Sequence, residues 1–300
     1  MITTSPTTVE QCIEWVEKKF SDSPLYYGHG TEHAVDEANW LVTQKLDLRA
    51  QKLEQSLDQT ITADQFESIR KLCETRITSR KPLAYLLNEA WFAGLKFYVD
   101  ERVIVPRSHI GEWIPEQFTP WIDPTNIDSI LDLCTGSGCI AIALAHAFPG
   151  ADIVATDICS NAMEVAALNI STYQLDHRID LVKSDLFADI GNSKFDLIVS
   201  NPPYVDPAMM ATLPNEYLHE PQAALQSQQQ GLAHIDAILK QSIQFLHPQG
   251  SLILEAGSAV SALEQYHPKF PFTWMTSENG DSVVLCASRN ELLSLQKLAA

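Results

Sequence analysis

The sequence predicts an α/β protein: a mostly parallel sheet with its last strand antiparallel, preceded by a small N-terminal helical domain and joined to it by a β-hairpin. Three observations carry this expectation. From about residue 125, apolar strand-like runs alternate with helical patterns, the sequence mark of a parallel sheet. Near the end, "FTWMTSENGDSVVLCAS" reads as two strands joined through Asn279-Gly280, and a two-residue turn joins only antiparallel strands. The first eighty residues instead place apolar side chains at helical spacing.

In chain order, Thr7 to Glu10 fits a capping box before Ile13, Val16 and Phe20. Ala34, Ala38, Leu41 and Val42 form a second helical stripe. Thr62 to Gln65 gives another capping box ahead of Phe66, Ile69, Cys73 and Ile77. Pro82 is expected to end this module. The division is therefore 1–80 for the helical domain, 81–110 for a hairpin around Gly94 leading into Pro106-Arg107, and 111–294 for the sheet domain. Within the last, strands are expected at 129–134, 152–156, 179–183, 195–200 and 251–256, with helices near 139–148, 160–173 and 231–246.

Net charge is −18 with a pI near 4.8. Such a chain is repelled by phosphate backbones, so direct nucleic-acid binding is not expected, whereas a basic protein would be attracted. No 18-residue apolar run and no basic-then-apolar leader occur, which points to a cytoplasmic protein with no membrane partner. The six cysteines lack CxxC or zinc-finger spacing, and His29 and His33 have no companion ligands. No metal is expected.

Chemistry is concentrated after the strands. "ILDLCTGSGC" places glycines between a strand and a helix, where they allow a tight turn and close approach of a ligand. The third glycine of a dinucleotide fingerprint is missing, its place taken by Ala141. Asp157 ends the next strand, nineteen residues after Gly138, and a carboxylate there can accept both ribose hydroxyl protons; a helix N-cap is its plainer role.

The fourth strand runs into Asn201-Pro202-Pro203-Tyr204. Two prolines make the loop stiff. A planar –NH₂ conjugated to a carbonyl or a ring is a poor nucleophile that no side chain can deprotonate outright, so positioning and electrostatics must activate it. Asn201 can offer its amide oxygen, Pro202 its carbonyl and Tyr204 an aromatic face.

These motifs together resemble the class I S-adenosylmethionine-dependent methyltransferases, which have a Rossmann-like fold. The resemblance implies a cofactor cradle made by Asp132, Cys134, Thr135, Gly136, Ser137 and Gly138, with Cys134 to Gly138 at the amino-acid end, Asp157 on the ribose, Asp185 and Leu186 beside the adenine, and Asn201 as a further cofactor contact. Cys134 stands where many relatives have glycine. Asn201, Pro202 and Tyr204 would be catalytic, and with Pro203 they would bind the acceptor.

Asn-Pro-Pro-Tyr also occurs in adenine-amine methyltransferases, but residues 185–236 hold seven acidic residues against one lysine, a poor surface for a polyanion. "VIVPRSHIGEW" and "HEPQAAL" are similar to the HemK-type glutamine N-methyltransferases. Within that family, "YYGHGTEHAVDEANWLV" and the segment from Pro106 to Gly111 look like the branch acting on large-subunit ribosomal protein L three. This implies a basic protein substrate, with Pro106 and Arg107 among its contacts. The release-factor branch and an adenine-amine enzyme are the alternatives. Glu220 reads as either a helix cap or a substrate contact, and "QSQQQ" at 226–230 departs from the acidic residues common in relatives.

Overall fold

A computed structural model describes residues 6–48, 53–277 and 279–299. The chain divides into two compact units, one of residues 1–90 plus 214–219, the other of 91–213 plus 220–300.

The first unit holds helices α1 (Val9–Ser21), α2 (Ala34–Lys45), α3 (Leu53–Ser56), α4 (Ala63–Ser79) and α5 (Leu83–Leu87). The stripes predicted from spacing meet in one core of Val16, Phe20, Leu41, Ile69, Cys73 and their neighbours. Two local expectations need correction. The α1 cap is Thr8, whose hydroxyl accepts from the Gln11 N–H, one residue later than expected. Pro82 does not end the module but opens α5, since a proline at a helix start forfeits no intrahelical hydrogen bond.

Beside that core lies a buried ion network. Arg76 pairs with Glu37 at 3.0 Å and with Glu216 at 3.2 Å, and donates to the Tyr26 carbonyl at 3.0 Å. Arg80 adds two contacts of 2.7 and 2.8 Å to the Glu216 carboxylate. Glu216 lies far along the chain, in the segment 214–219 that folds with the helices.

The second unit starts at Trp91, within the hairpin of β1 (Ala90–Phe92) and β2 (Leu95–Phe97), which turns through Ala93 and Gly94, both at positive φ. Its main sheet comprises β3 (Ser129–Leu133), β4 (Asp152–Asp157), β5 (Ile179–Lys183), β6 (Phe195–Ser200), β7 (Leu246–Glu255), β8 (Thr273–Thr276) and β9 (Ser282–Ser288), in the order β5-β4-β3-β6-β7-β9-β8. The first five strands are mutually parallel, and β9 runs antiparallel to both β7 and β8. The turn between β8 and β9 is longer than the expected two residues. Ser277 N–H donates to Asp281 O and the strand register closes at Thr276 and Ser282, so Asn279-Gly280 sits inside a five-residue connection.

Strand residues alternate between two cores, as a sheet covered on both faces requires. Ile130, Leu197, Val199 and Ile253 pack with α6 (Cys139–Ala147) and α7 (Ser160–Thr172). Leu131, Ile198, Leu252 and Leu254 pack with α9 (Leu232–Phe245) and α11 (Arg289–Ala299). Two shorter helices, α8 (Pro207–Met210) and α10 (Val260–Tyr266), lie in the connections. Among the described residues, no helix is long and apolar enough to cross a membrane.

Candidate active site

Strand order reverses at β3, whose neighbours are β4 on one side and β6 on the other. Ligands of open α/β sheets bind outside the carboxyl ends of the strands at such a point. A cleft of about 820 Å³, open solvent at its mouth included, lies there. Part of its lining comes from the ends of four successive parallel strands: Cys134 and Gly136 after β3, Asp157 closing β4, Ser184 to Leu186 after β5, and Asn201 and Pro203 after β6.

The loop after β3 needs three left-handed residues, Cys134 (φ 61°), Gly136 (56°) and Gly138 (79°). Glycine suits such positions, and cysteine does not. A Cβ on Gly138 would stand 3.3 Å from the Ala166 methyl, so α6 and α7 meet closely there. A Cβ on Gly136 would meet nothing within 4 Å and would occupy cleft space.

Asp132 secures this loop from below. It is fully buried, taking the Thr135 hydroxyl at 2.6 Å and the Ala141 N–H at 3.1 Å. Burial, only partly opposed by those two donors, pushes its carboxyl up to about 7. Thr135, Ser137 and Gly138 also support the loop without lining the cleft, Ser137 through its carbonyl, which accepts from Asn169 at 2.8 Å. Asp157 does line it, and each of its oxygens takes a backbone N–H, Gly136 at 2.9 Å and Cys159 at 2.8 Å. Burial raises this carboxyl as well. The Cys134 thiol is raised strongly for the same reason, so it is held as a neutral packing group.

On the β6 side, Asn201 Oδ1 is buried and has no hydrogen-bond partner among the described residues. Pro202 is buried behind it, and Pro203 faces the cleft. Tyr204 does not line the cleft; its hydroxyl donates to Glu255 Oε1 at 2.8 Å.

Pro106 and Arg107 are likewise absent from the lining. The Arg107 guanidinium grips Glu220 through two contacts of 2.6 and 2.7 Å, and the Val105 N–H donates to the same carboxylate at 2.9 Å. Glu220 is thus buried, not exposed, and it fastens the "VIVPR" segment to "HEPQAAL". Sequence reasoning missed Arg102 to Ile104, Ala223, Ala224 and His234, all of which line the cleft. "ERVIVPR" had strand character only, and His234 lay in an expected helix with nothing to mark its face. The histidine ring is oriented by Ser227 of the "QSQQQ" stretch, 2.8 Å from Nδ1.

Residues 120–230 match the family described as methyltransferase small domain. The chain is 42% identical over 288 residues to the ribosomal protein uL3 glutamine methyltransferase of Neisseria gonorrhoeae, covering 96% of each chain. The protein of the same name from Francisella tularensis subsp. tularensis is 40% identical over 287 residues, 95% of this chain and 91% of that one. A methyltransferase from Pyrococcus furiosus, known by its crystal structure, is similar at a TM-score of 0.46 and 18% identity, over 65% of this chain and 89% of its own. With near-complete coverage at that identity, the chain belongs to the family of ribosomal protein uL3 glutamine methyltransferases.

Proposed function

We propose that this enzyme transfers the methyl group of S-adenosylmethionine to the side-chain amide nitrogen of a glutamine in large-subunit ribosomal protein L3. The observation that carries the reading is the buried, unpartnered amide oxygen of Asn201 on a proline-stiffened loop at the cleft. Leaving such an acceptor unsatisfied costs roughly 1–3 kcal/mol, a cost that an incoming N–H donor removes.

The cleft suits the cofactor. Gly136 leaves backbone exposed at the β3 end, Asp157 offers remaining lone pairs for ribose hydroxyls, and Asp185 with Leu186 borders the far side. When bound, S-adenosylmethionine supplies an electrophilic sulfonium methyl. The protein's part is to hold the acceptor. Asn201 Oδ1 and the Pro202 carbonyl accept the two amide N–H protons, drawing nitrogen toward tetrahedral geometry, and Tyr204 packs on the flat amide.

The relatives' name supports protein L3 as substrate, and the net charge of −18 suits a basic ribosomal protein. The helical unit and the segment from Pro106 to Glu112 are proposed to recognise it.

Intact-mass spectrometry of L3, a release factor and ribosomal RNA after incubation with enzyme and cofactor tests the reading. A gain of one methylene on L3, localised to glutamine, is expected. A mass gain on the RNA and not on L3, or preference for the release factor, would overturn it.

A further inference from the structure

Resting on that reading of the Asn201–Tyr204 loop, we propose that Glu255 is a positioning residue for methyl transfer, fixing the Tyr204 ring against the acceptor amide and tying it to the segment Pro106–Glu112. Glu255 is the last residue of β7, beside β6, so its carboxylate emerges at the same sheet end as the loop. It is 2% exposed and sits among donors: Tyr204 Oη to Oε1 at 2.8 Å, and the Ser108 hydroxyl and His109 N–H to Oε2 at 2.6 and 3.0 Å. An apolar end-of-strand residue would leave all three without this acceptor.

Two glycines confine Tyr204 from other sides. A Cβ on Gly257 would stand 2.2 Å from the ring, and one on Gly231 would stand 2.2 Å from the Tyr204 carbonyl oxygen. Both glycines have positive φ, so any other residue there would be strained as well. The ring therefore packs on the bare backbone of Gly257 and on the apolar core that contains Leu254 and Ala256, and its hydroxyl is held by a buried carboxylate. The phenol's role is then to anchor the ring, leaving the aromatic face for the acceptor. Because Ser108 and His109 share the carboxylate, movement of that segment is transmitted directly to the tyrosine.

The test is a double-mutant cycle on Tyr204→Phe and Glu255→Leu, with Glu255→Gln as the conservative variant. Each single change is expected to lower kcat about 10- to 100-fold, the scale for a hydrogen bond to a charged group, with cofactor affinity by calorimetry within about twofold. The double variant should be no worse than Glu255→Leu alone. Glu255→Gln should recover most of kcat, because its amide oxygen can accept from Ser108 and His109 while its –NH₂ donates to the phenol oxygen. Multiplying effects, or kcat unchanged in Tyr204→Phe, would overturn the proposal.

A second readout does not depend on turnover. With 3-fluorotyrosine incorporated, the fluorine resonance missing in Tyr204→Phe reports on this ring. It is expected to shift and broaden in Glu255→Leu and to stay near its parent position in Glu255→Gln. An unmoved resonance in Glu255→Leu would count against the coupling. Failure of the parent enzyme to methylate a glutamine would instead count against the substrate reading, leaving the resonance to decide the coupling.

Discussion

In the helical unit, buried carboxylates meet cations; at the cleft they do not. Burial pushes both the Glu37 and Glu216 carboxyls up; Arg76 only partly offsets this at Glu37, whereas at Glu216 Arg80, the Tyr26 N–H and Arg76 more than reverse it and hold it below the usual range. Asp132 and Asp157 are also withdrawn from water, yet their partners are backbone N–H groups and a hydroxyl, and both carboxyls are raised. The difference shows two uses of buried polarity. In the first unit charge is neutralised to fix a long-range connection. At the cleft, Asp157 is held by backbone N–H groups instead of a cation, which leaves lone pairs on its oxygens for ligand donors.

The largest expected effect lies on the helical side. Arg76→Met leaves Glu37 and Glu216 buried beside a lost cation and should destabilise by about 3–5 kcal/mol, measured by urea unfolding. Adding Glu216→Gln should recover part of that loss. A change below about 1 kcal/mol would mean the network is not a fastening. The same network alters how recognition can be tested: deleting residues 1–80 removes both arginines that hold Glu216, so such a truncation disturbs the fold before it probes recognition.

On the cleft side, Asp157→Ala should weaken S-adenosylmethionine binding by about 1.5–3 kcal/mol, the scale for hydrogen bonds to a charged group. Calorimetry showing unchanged affinity in a folded variant would limit Asp157 to holding Gly136 and Cys159. The smallest effect is expected at Cys134. Its left-handed backbone costs about 1–2 kcal/mol relative to glycine, and glycine's extra unfolded-state freedom offsets roughly 0.5–1 of that. Cys134→Gly should therefore be slightly stabilising in a thermal melt and keep its turnover. Lost activity would give the thiol a role that its burial argues against.

Much of this was legible before any coordinates. Four of the five parallel strands appear within a residue of the expected places because each is a short apolar run bounded by turn residues, and the motif loops follow directly from their ends. β7 starts five residues before the expected 251, at Leu246, through a polar stretch that carries no strand signal. What stayed hidden depends on distant pairing. Glu216 sits 140 residues from Arg76, and Glu255 looks like the end of an apolar strand until Tyr204, Ser108 and His109 converge on it. The acidic surplus in residues 185–236 was counted as surface charge, yet Glu216 and Glu220 are buried in ion pairs. At Asn279-Gly280 a dipeptide signal was outweighed by the Ser277–Asp281 hydrogen bond, which widened the turn.

The central claim is that Asn201 acts on the acceptor amide and not on holding the cofactor. It is tested most directly by measuring turnover and cofactor affinity side by side in Asn201→Ala. The account predicts turnover on L3 lower by roughly 10²–10³ or more, the usual cost of losing a positioned polar group, with cofactor affinity within a few-fold of the parent. Near-normal turnover, or a loss explained entirely by weaker cofactor binding, would contradict it.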